Sequence, residues 1–219
     1  IKATLAVLAA LRDPQKHKVV LLCHSQGSII TANVLRALKN TLTQIRTIKQ
    51  GKQACPLDSL SQIVFDLCWQ ADFTETSCEE VDNQLIAMMQ KLEVYTFANC
   101  ADKMTYVCYA QNGQGEDVGL PYIENFANQF DLVARLGVLS PLRDDSAESP
   151  IIDIDGVVYE KQGLAAWGHL LNQHYLFGMQ DFLADPEHKH NPYQTSMPQQ
   201  APRLYQYYDG KRVPAYYVA

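Results

Sequence analysis

No apolar run in this chain comes near the roughly 20 residues that a membrane-spanning helix needs. The longest stretches, residues 19–23 and 164–167 among them, are a fraction of that length. Positive charge is also scarce. Eighteen Lys and Arg stand against 24 Asp and Glu, a net charge of -6, so no basic surface is expected to neutralise phosphates. Nucleic acid is therefore not expected as a partner, and anionic membranes are disfavoured as an electrostatic target. Six cysteines at irregular spacing, with no C-x-x-C pair, exclude a disulfide scaffold and the common zinc and redox motifs. Cys55, Cys68 and Cys78 lie close enough in sequence for a local bridge, while Cys23 and Cys100 sit in apolar runs and read as buried thiols. No G-x-G-x-x-G or G-K-[ST] follows a strand, which removes dinucleotide and phosphate-loop readings, and no cofactor is expected. His188 and His190 flank Lys189 without further ligands at metal spacing, so no metal site is expected either. Residues 1–11 lack an initiator methionine, a basic n-region and a small-residue cleavage site, so they do not form a secretory signal. The compartment stays open, leaning towards the cytoplasm.

What is present is a chain of 219 residues, 47% of them apolar, with no internal repeat. That is enough for one globular domain with a sizeable core. Residues 1–12 carry Leu5, Leu8 and Leu11 at helical spacing, and Asp13-Pro14 stops that helix. Residues 19–23, Val-Val-Leu-Leu-Cys, are β-rich without alternation, as in a parallel strand buried on both faces. A tight turn and a helix over 29–39 follow. Residues 41–76 are polar and poorly periodic and read as an insertion or lid. Helical spacing returns over 79–91, and residues 92–97, 104–109 and 120–126 are strand candidates. Residues 111–119 read as a Gly-rich loop, 132–139 as a short apolar turn and 143–150 as a charged loop. Residues 151–159 suggest a hairpin closed at Asp155-Gly156, and 170–183 a helix. The expected organisation is a core over 1–183 with an insertion at about 41–78, then a Pro/Tyr-rich tail over 184–219. That tail either packs through its tyrosines or stays mobile.

The strongest local signal is Cys23-His24-Ser25-Gln26-Gly27, a variant of the G-x-S-x-G nucleophile elbow with Cys23 in place of the first glycine. In that turn the residues around the serine must be small, because the helix packs close to the strand and the next amide must point at an oxyanion. Gly27 and Ser28 meet the demand. The competing explanation is an ordinary strand-helix turn in which Ser25 caps the helix. A buried strand, His24-Ser25-Gln26-Gly27 and a helix together resemble the signature of the α/β-hydrolase superfamily, in particular its lipase and esterase members. Asn128-Gln129-Phe130-Asp131-Leu132-Val133-Ala134-Arg135-Leu136 resembles the N-x-x-D-x-V-x-x-L stretch that carries the acid in class 3-type lipases. Gly168-His169 followed by Tyr175-Leu176 resembles the segment that carries their histidine.

The resemblance implies an α/β fold, a three-layer sandwich around a mostly parallel sheet. It also implies a triad in the chain order Ser25, Asp131, His169. A serine hydroxyl is a weak nucleophile near neutral pH, so an imidazole must take its proton and a carboxylate must orient the ring. Asp131 has a bland alternative as a cap or an Arg135 partner, and Asp102, Asp153 and Asp155 are weaker candidates for the acid. His174, about a turn and a half further on, is the reserve base, and His24 reads as a neighbour or pocket wall. The backbone N–H of Gln26 is the expected first oxyanion donor. The second donor belongs to a loop after an early strand in such proteins and is not found in this chain. The first strands are therefore expected upstream of Ile1 or in a partner chain, and without them the sheet would keep an apolar edge.

The function implied is a serine hydrolase that cleaves a carboxylic ester, lipase- or esterase-like, on a small-molecule or lipid substrate. An acyltransferase or thioesterase would use the same residues. The rival from another class is an inactive hydrolase-like interaction module, with the insertion and tail as binding surfaces.

Overall fold

The structure, a computed structural model, describes residues 1–68, 77–142, 151–187, 190–196 and 201–211, except the side chains of Cys68 and Cys78. The charged loop expected at 143–150 and His188 lie outside these residues. Helix α1 (Lys2–Arg12) buries Thr4, Val7, Leu8 and Leu11 on one stripe, the spacing of an amphipathic helix. Strand β1 (Val19–His24) passes through Ser25 directly into helix α2 (Gln26–Lys49). Helices α3 (Ser59–Cys68) and α4 (Cys78–Lys91) follow, the second opened by a capping box between Ser77 and Glu80. Then come β2 (Leu92–Phe97), β3 (Lys103–Met104), β4 (Cys108–Gln111), β5 (Asp117–Leu120), β6 (Tyr122–Asn128) and the short helix α5 (Leu132–Leu136). The described chain continues with β7 (Asp153–Ile154), β8 (Val157–Lys161), a π-helical segment (Leu171–Leu176), α6 (Phe177–Ala184) and a 3-10 segment (Arg203–Gly210).

The fold is α/β. Its main sheet is parallel throughout, in the order β1-β2-β6-β8. Side chains alternate across it. Cys23 faces α2, where an added Cβ on Gly27 would lie 3.4 Å from the Cys23 Cβ. The opposite face carries Phe97, Phe126 and Tyr159, whose rings stack at 5.2 and 5.4 Å. The π-helical segment covers that face through Tyr175, edge-on to Phe97 at 5.8 Å. Strand β2 is buried along its whole length, as a strand covered on both faces must be. Strand β1 is an edge, and Leu22 on it is 64% exposed. Parallel strands place all their carboxyl ends on one side, so the loops leaving β1, β6 and β8 gather there.

Several elements depart from the sequence reading. Helix α2 does not stop near residue 39 but runs to Lys49, burying Thr41, Leu42, Gln44 and Ile45. Polar Thr41 and Gln44 on the buried stripe hide its period. Thr41 donates to the Ser61 carbonyl at 3.2 Å, and Gln44 exchanges hydrogen bonds with the Cys55 backbone at 3.0 and 3.1 Å. Residues 41–49 therefore belong to α2, and α3 packs on α2 after the non-helical stretch 52–58. Cys55 is a free thiol. The 111–119 segment is a β4–β5 hairpin turned at Asn112, whose side chain takes the amides of Gln114 and Glu116. No hairpin closes at Asp155-Gly156: β7 pairs with β3 and β8 with β6, both in parallel. Gly156, at φ +98 and against Ile123, redirects the chain from one sheet to the other.

The described part of the tail belongs to the body. Glu93, fully buried, accepts from Tyr207 (2.6 Å), Tyr95 (2.7 Å) and Arg203 (3.0 Å) and pairs with Lys18 (3.1 Å). The amides of Arg203 and Leu204 donate to Glu124 at 2.6 and 3.1 Å. Burial alone would push Glu93 up, but these donors and Arg203 hold it below the usual carboxylate range. Glu124, also buried, is pushed up by desolvation.

Candidate active site

Ser25 sits at φ 55 and ψ -125 between β1 and α2, a conformation that costs a non-glycine residue about 1–3 kcal/mol. Its backbone is tied on both sides. The Ser25 amide donates to the Phe97 carbonyl at 2.9 Å, and the Ser28 amide and hydroxyl donate to the Ser25 carbonyl at 2.9 and 2.6 Å. The Ser25 side chain does not cap α2, so the strain buys no helix stability. Gln26 opens α2, and its backbone N–H is one of the helix's orphan donors. The close strand-helix approach expected to demand a small residue here is not seen at Gly27, where an added Cβ would make only an ordinary contact with Cys23. The Cys23 thiol is buried, and desolvation pushes it up to about 11, which makes it inert as a nucleophile.

Asp131 lies in the turn after β6, almost wholly buried. Its carboxylate accepts the Val133 amide (2.8 Å), which caps α5, and also meets the His169 Nδ1 at 2.9 and 3.1 Å. Capping and ring orientation are thus done by one side chain. A carboxylate can only accept, so the His169 Nδ1 carries the proton and the Nε2 lone pair is left for chemistry. A third donor is the Tyr175 hydroxyl, 2.7 Å from Asp131 Oδ2. Tyr175 was not expected from the sequence. It stands inside the Gly-His to Tyr-Leu segment, but its reach back to Asp131 depends on a π-helical turn that no periodicity announces.

His169 follows Gly168 in the loop after β8. Gly168 has φ +91, and a Cβ there would lie 2.4 Å from the His174 Nδ1, so the position admits only glycine without rearrangement. That loop is tied down by Asn128 Nδ2 on the Gly168 carbonyl (3.2 Å) and by the Phe130 amide on the Ala166 carbonyl (2.9 Å). His174, the reserve base, has its Nδ1 occupied by the Leu170 amide at 2.8 Å and its ring against Trp167. Asp102, Asp153 and Asp155 serve local structure: Asp102 takes the Lys103 amide, the Asp153 amide pairs with the Asp102 carbonyl, and Asp155 takes the Tyr106 amide.

His24 precedes Ser25, and its ring lies 4.5 Å from that of His169. It walls an apolar cavity of about 300 Å³ with Leu22, Phe97, Leu171 and Met179. Around the Asp131–His169 pair, Phe130, Leu132, Trp167 and Leu170 are exposed. Among the described residues no group of three or more His, Cys, Asp or Glu could hold a metal ion, and no helix is long and apolar enough to cross a membrane. Comparison of the chain with protein-family models, with curated proteins and with solved structures returns no match.

Proposed function

We propose that this chain carries the catalytic residues of a serine hydrolase acting on carboxylic esters. In this reading the fold is of the α/β-hydrolase type and the likeness of the three segments to class 3-type lipases is functional. Ser25 Oγ attacks the ester carbonyl carbon and gives its proton to His169 Nε2. The negative charge passes to the carbonyl oxygen, where the Gln26 amide donates to it. The tetrahedral species then expels the alcohol, which leaves with the proton from His169, and an acyl group stays on Ser25. Water attacks that acyl ester with His169 again as base, releasing the acid. Asp131 holds the ring and stabilises the imidazolium throughout.

The observation that carries this reading is the Asp131–His169 Nδ1 hydrogen bond, formed at the sheet end where the strained Ser25 stands. The exposed apolar side chains around it favour an ester with an apolar acyl or alcohol part over a charged one. Hydrolysis of a panel of p-nitrophenyl esters tests the proposal. Measurable turnover that Ser25→Ala abolishes supports it. Turnover that survives this substitution would remove Ser25 as the nucleophile, and none with any ester from the folded chain favours the interaction module.

A further inference from the structure

We infer that His24 is a positioning residue for the base, acting through the main chain of His169; this rests on the serine hydrolase reading above. The His24 Nε2 lies 2.6 Å from the His169 carbonyl oxygen. A carbonyl only accepts, so Nε2 carries the proton and His24 is the donor. The two rings lie 4.5 Å apart at 33°, and the His24 ring also meets Tyr175 edge-on at 6.2 Å.

His169 is thereby held at both ends. Asp131 fixes the ring at Nδ1 and His24 fixes the backbone at the carbonyl. The neighbouring ties of the loop come from elsewhere: Asn128 and Phe130 belong to β6 and the turn after it, and His174 to the π-helical segment. Among these, the His24 bond alone starts from the strand that delivers Ser25. It links the nucleophile's strand to the base's loop through one hydrogen bond, from the residue immediately before Ser25. The position needs an N–H donor at this reach, and burial lowers the His24 pKa, which favours a neutral ring beside His169. A like charge stacked on the base would oppose the imidazolium formed during turnover.

Two variants separate a positioning role from packing. His24→Phe keeps the ring volume and loses the donor. His24→Gln loses the ring and keeps an N–H near the Nε2 position. For the ester panel, His24→Phe is expected to lower kcat by about 10–100-fold with little change in KM, the scale of a small misplacement of a catalytic group. His24→Gln is expected to recover most of that loss, with melting temperatures of both variants near that of the parent. The downfield proton NMR resonance of the His169 Nδ1–H, which needs no turnover, should broaden or vanish in His24→Phe and persist in His24→Gln. The inference is overturned if His24→Phe keeps parental kcat and the parental resonance, or if both variants are equally impaired. A parent inactive on every ester of the panel, in which the resonance still follows the donor, would reject the hydrolase reading while leaving the positioning contact in place.

Discussion

Three hydrogen bonds converge on the Asp131 carboxylate, from the Val133 amide, the His169 ring and the Tyr175 hydroxyl. A buried carboxylate is stable as an anion only when its lone pairs are met by donors. Tyr175 and Val133 therefore fix its plane before His169 is considered. Replacing Asp131 with Asn leaves the shape but removes the pure acceptor, so the Nδ1–H tautomer of His169 is no longer enforced. Steady-state kinetics should show kcat falling by about 10⁴, as for the equivalent change in a characterised triad. Tyr175→Phe removes one donor only. We expect kcat to fall about tenfold, ~1.4 kcal/mol, with KM unchanged; an unchanged kcat would reduce Tyr175 to a packing residue. The sharp turn at Ser25 is legible at this scale because an apolar strand runs through a small-residue segment straight into a helix. Tyr175 is not, since nothing in a tyrosine six residues after a histidine indicates that both meet one carboxylate.

The elements differ in how far local composition reveals them, and the reasons are physical. Residues 19–23, an unbroken apolar run, and 92–97, where Glu93 and Thr96 interrupt one, both form strands, but only β2 is buried along its length. Strand β1 is an edge that leaves Val20 and Leu22 exposed, against the expectation of a strand buried on both faces. Helix α2 runs ten residues beyond the stretch its period reveals, because Thr41 and Gln44 point inward and satisfy their polar atoms on α3 and the Cys55 backbone. Asp155-Gly156 has the composition of a hairpin turn, yet the chain crosses between two sheets there, and local composition cannot report which strand pairs with which. Gly168 joins these two levels. It is the hinge that lets the loop after β8 turn back at positive φ, and its missing Cβ makes room for the His174 ring. Gly168→Ala should destabilise the fold by about 2–3 kcal/mol in urea unfolding and displace His169 as well. A variant of parental stability would mean that the loop is held by its other hydrogen bonds alone.

Across the whole molecule the C-terminal segment is locked to the sheet face through Glu93 and Glu124, and the two carboxylates respond to pH with opposite signs. Glu93 is held below its ordinary value, so its contribution is present above that value and is lost as pH falls through its folded pKa. Glu124 is raised, so its contribution is full below the ordinary value and is lost as pH rises through its folded pKa. Melting temperature against pH should therefore fall on the acid side in the parent. In Glu93→Gln that acid limb should flatten and the neutral-pH value should drop; an unchanged acid limb would remove Glu93 from the account. The parallel sheet matters to function because it brings the ends of β1, β6 and β8 together from distant parts of the sequence. The most direct measurement is mass spectrometry of the chain after reaction with a fluorophosphonate. The expected result is one adduct per chain, mapped to the peptide holding Ser25 and lost in His169→Ala. An adduct on another residue, or none on the folded full-length protein, would contradict the account.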